Sequence, residues 1–199
     1  MLPNRVVEEA PPPAEPFAEV AKDPLALQIA GLPPRAAVEL CARRLGRSVG
    51  RLCAALLGSN AEADEAAQEA FLAVALAIGS YRGEGTVRAW VLSIARRTCA
   101  RRLETRTRRE GKLTLVHDAE PERTLPEEDL DARRRGRLVR DALAQLRPSE
   151  REVLLLRYEA SLSFREVAQA CGIDEATARK RASRALHRLR KLLPIEDVR

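Results

Sequence analysis

The chain has 199 residues, with 35 Lys and Arg against 29 Asp and Glu, and a net charge of +6. No run of eighteen or so apolar residues occurs, and the amino terminus lacks the basic-then-apolar order of an export signal. Membrane insertion and export are therefore excluded as expectations, and a soluble, cytoplasmic protein is expected. The acids gather near the amino terminus and in mid-chain while both flanking helical stretches are rich in arginine, which favours a polyanionic partner.

In chain order, residues 1–23 carry Pro11, Pro12, Pro13 and Pro16 among Glu8, Glu9, Glu15 and Glu19. Such proline and acid content predicts a disordered arm, to which the sequence assigns no role. From Pro34 the residues Val38, Cys41, Leu45, Val49, Leu52 and Leu56 recur every three or four positions, one face of an amphipathic helix. Gly46 and Gly50 weaken it by about 1 kcal/mol each relative to alanine, so tertiary packing has to hold it. Gly58 ends it, and Ser59 with Glu62 forms a capping box for the next helix, whose apolar residues are Ala63, Ala67, Ala70, Phe71, Val74 and Ile78. Asp64, Glu65, Gln68 and Glu69 fall on its other side. Acids in a first turn are explained by the helix dipole, but Gln68 and Glu69 lie beyond it, so a contact surface is the second reading.

Tyr81, Arg82, Gly83, Glu84, Gly85 and Thr86 form a loop with two glycines before a threonine cap. A third helix follows, with Val87, Trp90, Val91, Ile94 and Ala95 inward and Arg88, Arg96, Arg97, Arg101 and Arg102 elsewhere. Trp90 offers a stacking platform for an unpaired base, but its spacing with Val87, Val91 and Ile94 favours a core position. Residues 108–133 read as a linker, with Glu120, Glu122, Glu127, Glu128 and Asp129 around Pro121 and Pro126. It reaches ~85 Å fully extended but only ~28 Å as a relaxed coil.

The second domain, 134–193, starts with a helix bearing Leu138, Ala142, Leu143 and Leu146, closed by Pro148. Ser149 with Glu152 opens another, with Val153, Leu154 and Leu156 apolar. Ser163 and Glu166 then make a capping box before Val167, Ala168 and Cys171, Gly172 turns the chain, and Asp174 caps a longer helix. On that helix Ala178, Ala182, Ala185, Leu189 and Leu192 share one stripe. Lys180, Ser183, Arg184, His187 and Lys191 lie opposite, with Arg179 and Arg181 at the margins. A small-residue core face and a cationic outer face after a capped helix and a glycine turn fit a helix-turn-helix reader of the DNA major groove. The plain alternative is a solvated basic helix in a bundle. The fold expected is all-α: two small helical domains, 34–107 and 134–193, joined by a flexible linker. Cys41, Cys53, Cys99 and Cys171 are scattered on apolar faces without a C-x-x-C pair, so reduced buried thiols are expected and neither a metal site nor a cofactor is implied.

At this point the residues resemble a family. The segments DEAAQEAFLAVA and YRGEGTVRAWVLSIARRTCARRL are similar to the second conserved region of bacterial RNA polymerase sigma factors of the extracytoplasmic-function, group IV, type. The segment LRPSEREVLLLRYEASLSFREVAQACGIDEATARKRASRALHRLRKLL resembles the carboxyl-terminal region of the same family, in the same order.

The resemblance implies that Asp64, Glu65, Gln68 and Glu69 dock on the polymerase clamp helices. It further implies that Tyr81, Arg82, Gly83, Glu84, Gly85 and Thr86, with Arg96, Arg97 and Arg101, read the minus-ten element, where the family extrudes a base into a pocket. Arg179, Lys180, Arg181, Ser183, Arg184 and His187 are implied to read the minus-thirty-five element, arginine to guanine being the commonest bidentate contact. The family often has Asn at the position of Arg97 and Asp or Asn at that of Arg101, which leaves altered base choice and phosphate contact open. It also often has Trp where this chain has Ala75. Core RNA polymerase and promoter DNA are the implied partners, and an anti-sigma protein is expected.

Two other readings compete. A stand-alone helix-turn-helix regulator acting on duplex DNA leaves the acidic ridge and the glycine loop without a job. An enzyme is disfavoured, because His117 lies in the linker, His187 on the recognition helix, and no cysteine has a neighbouring base.

Overall fold

The structure, a computed structural model, describes the backbone of residues 23–110 and 128–193, and their side chains except at 109–110 and 128–135. The predicted arm up to residue 22 and the centre of the predicted linker lie outside the described residues. The described part is helical throughout: α1 (Pro24–Ile29), α2 (Pro34–Leu57), α3 (Asn60–Ala77), a 3-10 turn (Ile78–Ser80), α4 (Val87–Glu110), α5 (Glu128–Ala144), α6 (Pro148–Leu154), a π-helical turn (Leu155–Glu159), α7 (Phe164–Cys171) and α8 (Glu175–Leu192). An all-α fold of two helical units is thus what the chain forms.

The first unit is α2, α3 and α4 packed on one another. The periodic stripe of α2 is its inner face, with Cys41, Leu45, Val49, Leu52, Cys53 and Leu56 all buried. Gly58 sits at φ +78°, the left-handed conformation that lets the chain leave the helix and its N–H reach the Ala54 carbonyl. Ser59 caps α3 by accepting from Glu62 N, but at 3.5 Å, and the reciprocal half of the predicted box is replaced. The Glu62 carboxylate instead pairs with Arg106 at 3.0 Å on α4. That long-range ion pair belongs to a ladder with Arg102 on Glu65 and Glu69, each at 3.0 Å. The ladder runs along the distal part of α4, so the helix continues to Glu110, inside the predicted linker. The Cys53 and Cys99 thiols are buried hydrogen-bond partners between α2 and α4. That bond from Cys99 holds the Cys53 thiol below the ordinary range, and the same bond pushes Cys99 up.

The second unit differs from expectation at its start. α5 begins at Glu128, where no proline follows Pro126 to stop it. α6 takes Pro148 as its first residue, an arrangement suited to a missing N–H, and Ser149 makes no cap. Glu150, 5 % exposed, ties α6 to α8 through Arg188 at 3.0 Å. The helix-turn-helix forms as its residues dictate. Ser163 and Glu166 close a full capping box, Gly172 turns at φ +66°, and Asp174 accepts from Thr177 N at 2.7 Å. Ala178, Ala182 and Ala185 are buried, and their small size lets α8 lie close on α6 and α7.

The two units are not held apart. α7 packs on α4, and the π-helical turn packs on α2, so one apolar core runs through both.

Candidate nucleic-acid and polymerase interfaces

The loop 81–86 is built rather than slack. Tyr81 donates its hydroxyl to the Gly85 carbonyl at 2.6 Å, closing the turn, while Gly83 and Gly85 adopt φ +76° and +94°. The Tyr81 ring packs against Trp90, centroids 5.4 Å apart at 53°, and half-buried Trp90 also touches the core. Thr86 caps α4 by accepting from Ala89 N at 3.2 Å. A second cap comes from a residue that sequence reasoning assigned to the disordered arm. Asp23, buried, accepts from Val87 N at 2.7 Å and from Leu25 N at 3.0 Å, so one carboxylate joins α1 to the start of α4. No local pattern signals this, since the partners are 64 residues apart. Beside the loop, α1, the start of α2 and residues 78–83 enclose a largely apolar cleft of about 340 Å³.

Three arginines predicted to read DNA fare differently. Arg97 is exposed on α4. Arg101 lies 3.7 Å from Glu69, an exposed pair. Arg96 is largely covered and pairs with Glu152 of the second unit at 3.3 Å, its Nε finding no partner among the described residues.

The acidic ridge on α3 divides as well. Asp64 and Gln68 are exposed, whereas Glu65 and Glu69 are engaged by Arg102, whose guanidinium is held above its ordinary range by those two hydrogen bonds. Sequence reasoning missed the apolar continuation of the ridge. Leu72 and Leu76, one and two turns beyond Gln68, are 67 % and 92 % exposed. Their signal was present: both fall off the stripe of Ala63, Ala70 and Val74 that is buried.

On α8 the predicted reading face is open. Arg179, Lys180, Ser183, Arg184 and His187 are exposed, and Arg181 is half-buried. Arg179 is the constrained one, with its guanidinium on Glu175 and 4.7 Å from the Phe164 ring centre. Thr177 hydrogen bonds hold the Asp174 carboxyl below the usual range, as expected of a helix cap.

A helix-turn-helix with an open cationic helix, and a capped glycine loop beside a mixed acid–apolar ridge, occur in one order in sequences of known kind. The family pattern for Sigma-70 region 2 matches residues 41–109, and that for Sigma-70, region 4 matches 136–189. The RNA polymerase sigma factor CarQ of Myxococcus xanthus is 31 % identical over 155 residues, 78 % of this chain and 87 % of CarQ. This chain is an extracytoplasmic-function sigma factor. The ECF RNA polymerase sigma factor ShbA of Streptomyces griseus is similarly 31 % identical, over 78 % of this chain and 81 % of ShbA. In fold, the sigma factor is similar to RpoE in complex with the anti-sigma factor NepR from Bartonella quintana, TM-score 0.60 at 21 % identity over 77 % of this chain and 96 % of that one. It is likewise similar to CnrH in complex with the cytosolic domain of CnrY, TM-score 0.61 at 20 % identity over 84 % and 93 %. As a sigma factor it acts with core RNA polymerase to recognise promoter DNA and start transcription. Among the described residues no helix is long and apolar enough to cross a membrane.

Proposed function

We propose that this sigma factor divides promoter recognition between its two units and contributes binding energy rather than catalysis. The helix α8 enters the major groove of the minus-thirty-five element, with Lys180 and Arg184 facing base edges and Arg179, Arg181, Ser183 and His187 fixing its position. The loop 81–86 with Arg96, Arg97 and Arg101 engages the minus-ten element. Asp64, Glu65, Gln68 and Glu69 meet the polymerase, and the exposed Leu72 and Leu76 extend that ridge into an amphipathic strip. In this reading Glu65 and Glu69 also brace α4 through Arg102, so Asp64, Gln68 and the two leucines carry the contact itself. The protein works in the cytoplasm, where polymerase and promoters are, and an anti-sigma protein holds it when inactive, as the anti-sigma factor NepR is bound to the sigma factor RpoE of like fold.

The observation that supports this best is the open cationic face of α8 beside a separate, uncharged-to-acidic ridge on α3, one suited to DNA and the other to a protein. Run-off transcription with core polymerase on a promoter library tests it. Specific initiation is expected from the full chain, and binding of target duplex with indifference to added core enzyme overturns it in favour of a stand-alone regulator. Asp64→Arg with Leu76→Ser should lower core-polymerase capture several-fold with helicity unchanged. Equal capture removes the ridge from the interface.

A further inference from the structure

A loop that reads an unpaired strand has to be held in place, and the loop 81–86 carries two glycines in the left-handed region, at φ +76° and +94°. Its own bonds tie it to α4. The Tyr81 hydroxyl donates to the Gly85 carbonyl, the Tyr81 ring packs on Trp90, and the Thr86 side chain and carbonyl accept from Ala89 N and Trp90 N. Loop and helix start thus form one small body. The bond from that body to α1 is made by Asp23.

The Asp23 carboxylate divides its two oxygens. Oδ1 accepts from Leu25 N at 3.0 Å, capping α1, and Oδ2 accepts from Val87 N at 2.7 Å, at the first residue of α4. Burial, and after it the Asp23 charge, pushes the Cys41 thiol of α2 up, so the same carboxylate also lies close to α2. A serine would cap the short helix α1 about as well without placing a charge where only 8 % of the residue is exposed. The second bond and the dipole of α4 are what a carboxylate adds there. The geometry has a consequence for the loop. Ala26, Ile29 and Ala30 of α1 line the same cleft as Tyr81, Arg82 and Gly83, so the distance between α1 and the start of α4 sets the width of that cleft.

We propose that Asp23 is a positioning residue for minus-ten recognition: by joining α1 to the first residue of α4, its carboxylate fixes where the loop 81–86 stands. This deepens the reading that residues 81–86 face the minus-ten element, and rests on it.

Two substitutions in the full chain break the bond from opposite sides. Asp23→Asn keeps one carbonyl oxygen, enough to cap α1, but cannot also accept from Val87 N. Val87→Pro removes the N–H itself at the first position of a helix, where proline is favoured. With core polymerase in run-off transcription, each should lose about fivefold or more of its preference for an intact over an altered minus-ten element. Preference for the minus-thirty-five element, capture of core polymerase and helicity should stay as in the wild type. The double variant should lose no more than the worse single one, because both remove one bond. Emission of Trp90, the chain's one tryptophan, should shift in both as the Tyr81 contact loosens. An unchanged minus-ten preference in both variants, while alanine at Arg82 and Arg97 lowers it, overturns the role. Loss of helicity in both, or an equal fall in the two preferences, makes Asp23 a structural cap and overturns it as well. If alanine at Arg82 and Arg97 also leaves minus-ten dependence intact, the loop reading falls first and takes this role with it.

Discussion

At the scale of single residues, Glu166 is the side chain asked to do most. Burial alone would raise its carboxyl, but hydrogen bonds from Thr86 and Ser163 outweigh that and hold it below the ordinary range. A carboxyl depressed on folding stabilises the fold fully above its unfolded value, about 4.3, and that contribution disappears as pH falls through the folded value. The melting-temperature gap between the wild type and Glu166→Gln should therefore be constant from pH 6 to 8 and shrink below about pH 4. A gap that widens in acid contradicts the assignment. Arg184 is a residue of the other kind, exposed and without an ion pair or hydrogen bond of its side chain among the described residues. Arg184→Ala should leave stability unchanged and cost roughly 1–3 kcal/mol on a cognate minus-thirty-five duplex, with relaxed specificity at one position. Uniform loss across all sequences makes it a phosphate contact.

At the scale of elements, the helix-turn-helix is fixed by three local devices: the Ser163–Glu166 box, the left-handed Gly172 and the Asp174 cap. Gly172→Ala meets no neighbouring atom within 4 Å, so its whole effect is backbone strain at φ +66°. About 1–2 kcal/mol of destabilisation is expected by chemical denaturation. Ser163→Ala removes a cap and should cost about 1 kcal/mol. Both devices were legible in the sequence because a cap and a turn involve residues three or four apart. The start of α4 was half legible. Thr86 announces itself as a cap, but Asp23 reaches Val87 across 64 residues and no pattern of spacing encodes such a meeting. The same reason explains the acid ridge: Glu65 and Glu69 read as surface from α3 alone, and only the approach of α4 engages them with Arg102.

At the scale of the whole molecule, cleavage and association separate. The helices that run to Glu110 and start at Glu128 narrow the predicted linker from both sides. Limited trypsin digestion should therefore cut within 111–127, and the two fragments should co-elute on gel filtration at low salt, because α7 and the π-helical turn stay on α4 and α2. Raising salt should favour their separation, since exposed pairs such as Arg51 with Glu159 are screened. Fragments that separate at once show that the shared core is too weak to hold the units together.

By itself the sequence determined the helical class, the order of the two units, the helix-turn-helix and the cationic side of α8. Each follows from periodicity, capping and turn chemistry, which act over a few residues. Only the tertiary structure decided that Asp23 caps a distant helix, that half of the acid ridge braces α4, and that the second unit covers the loop of the first. These depend on which surfaces meet, and side chains far apart in the chain carry no record of their partners in local spacing.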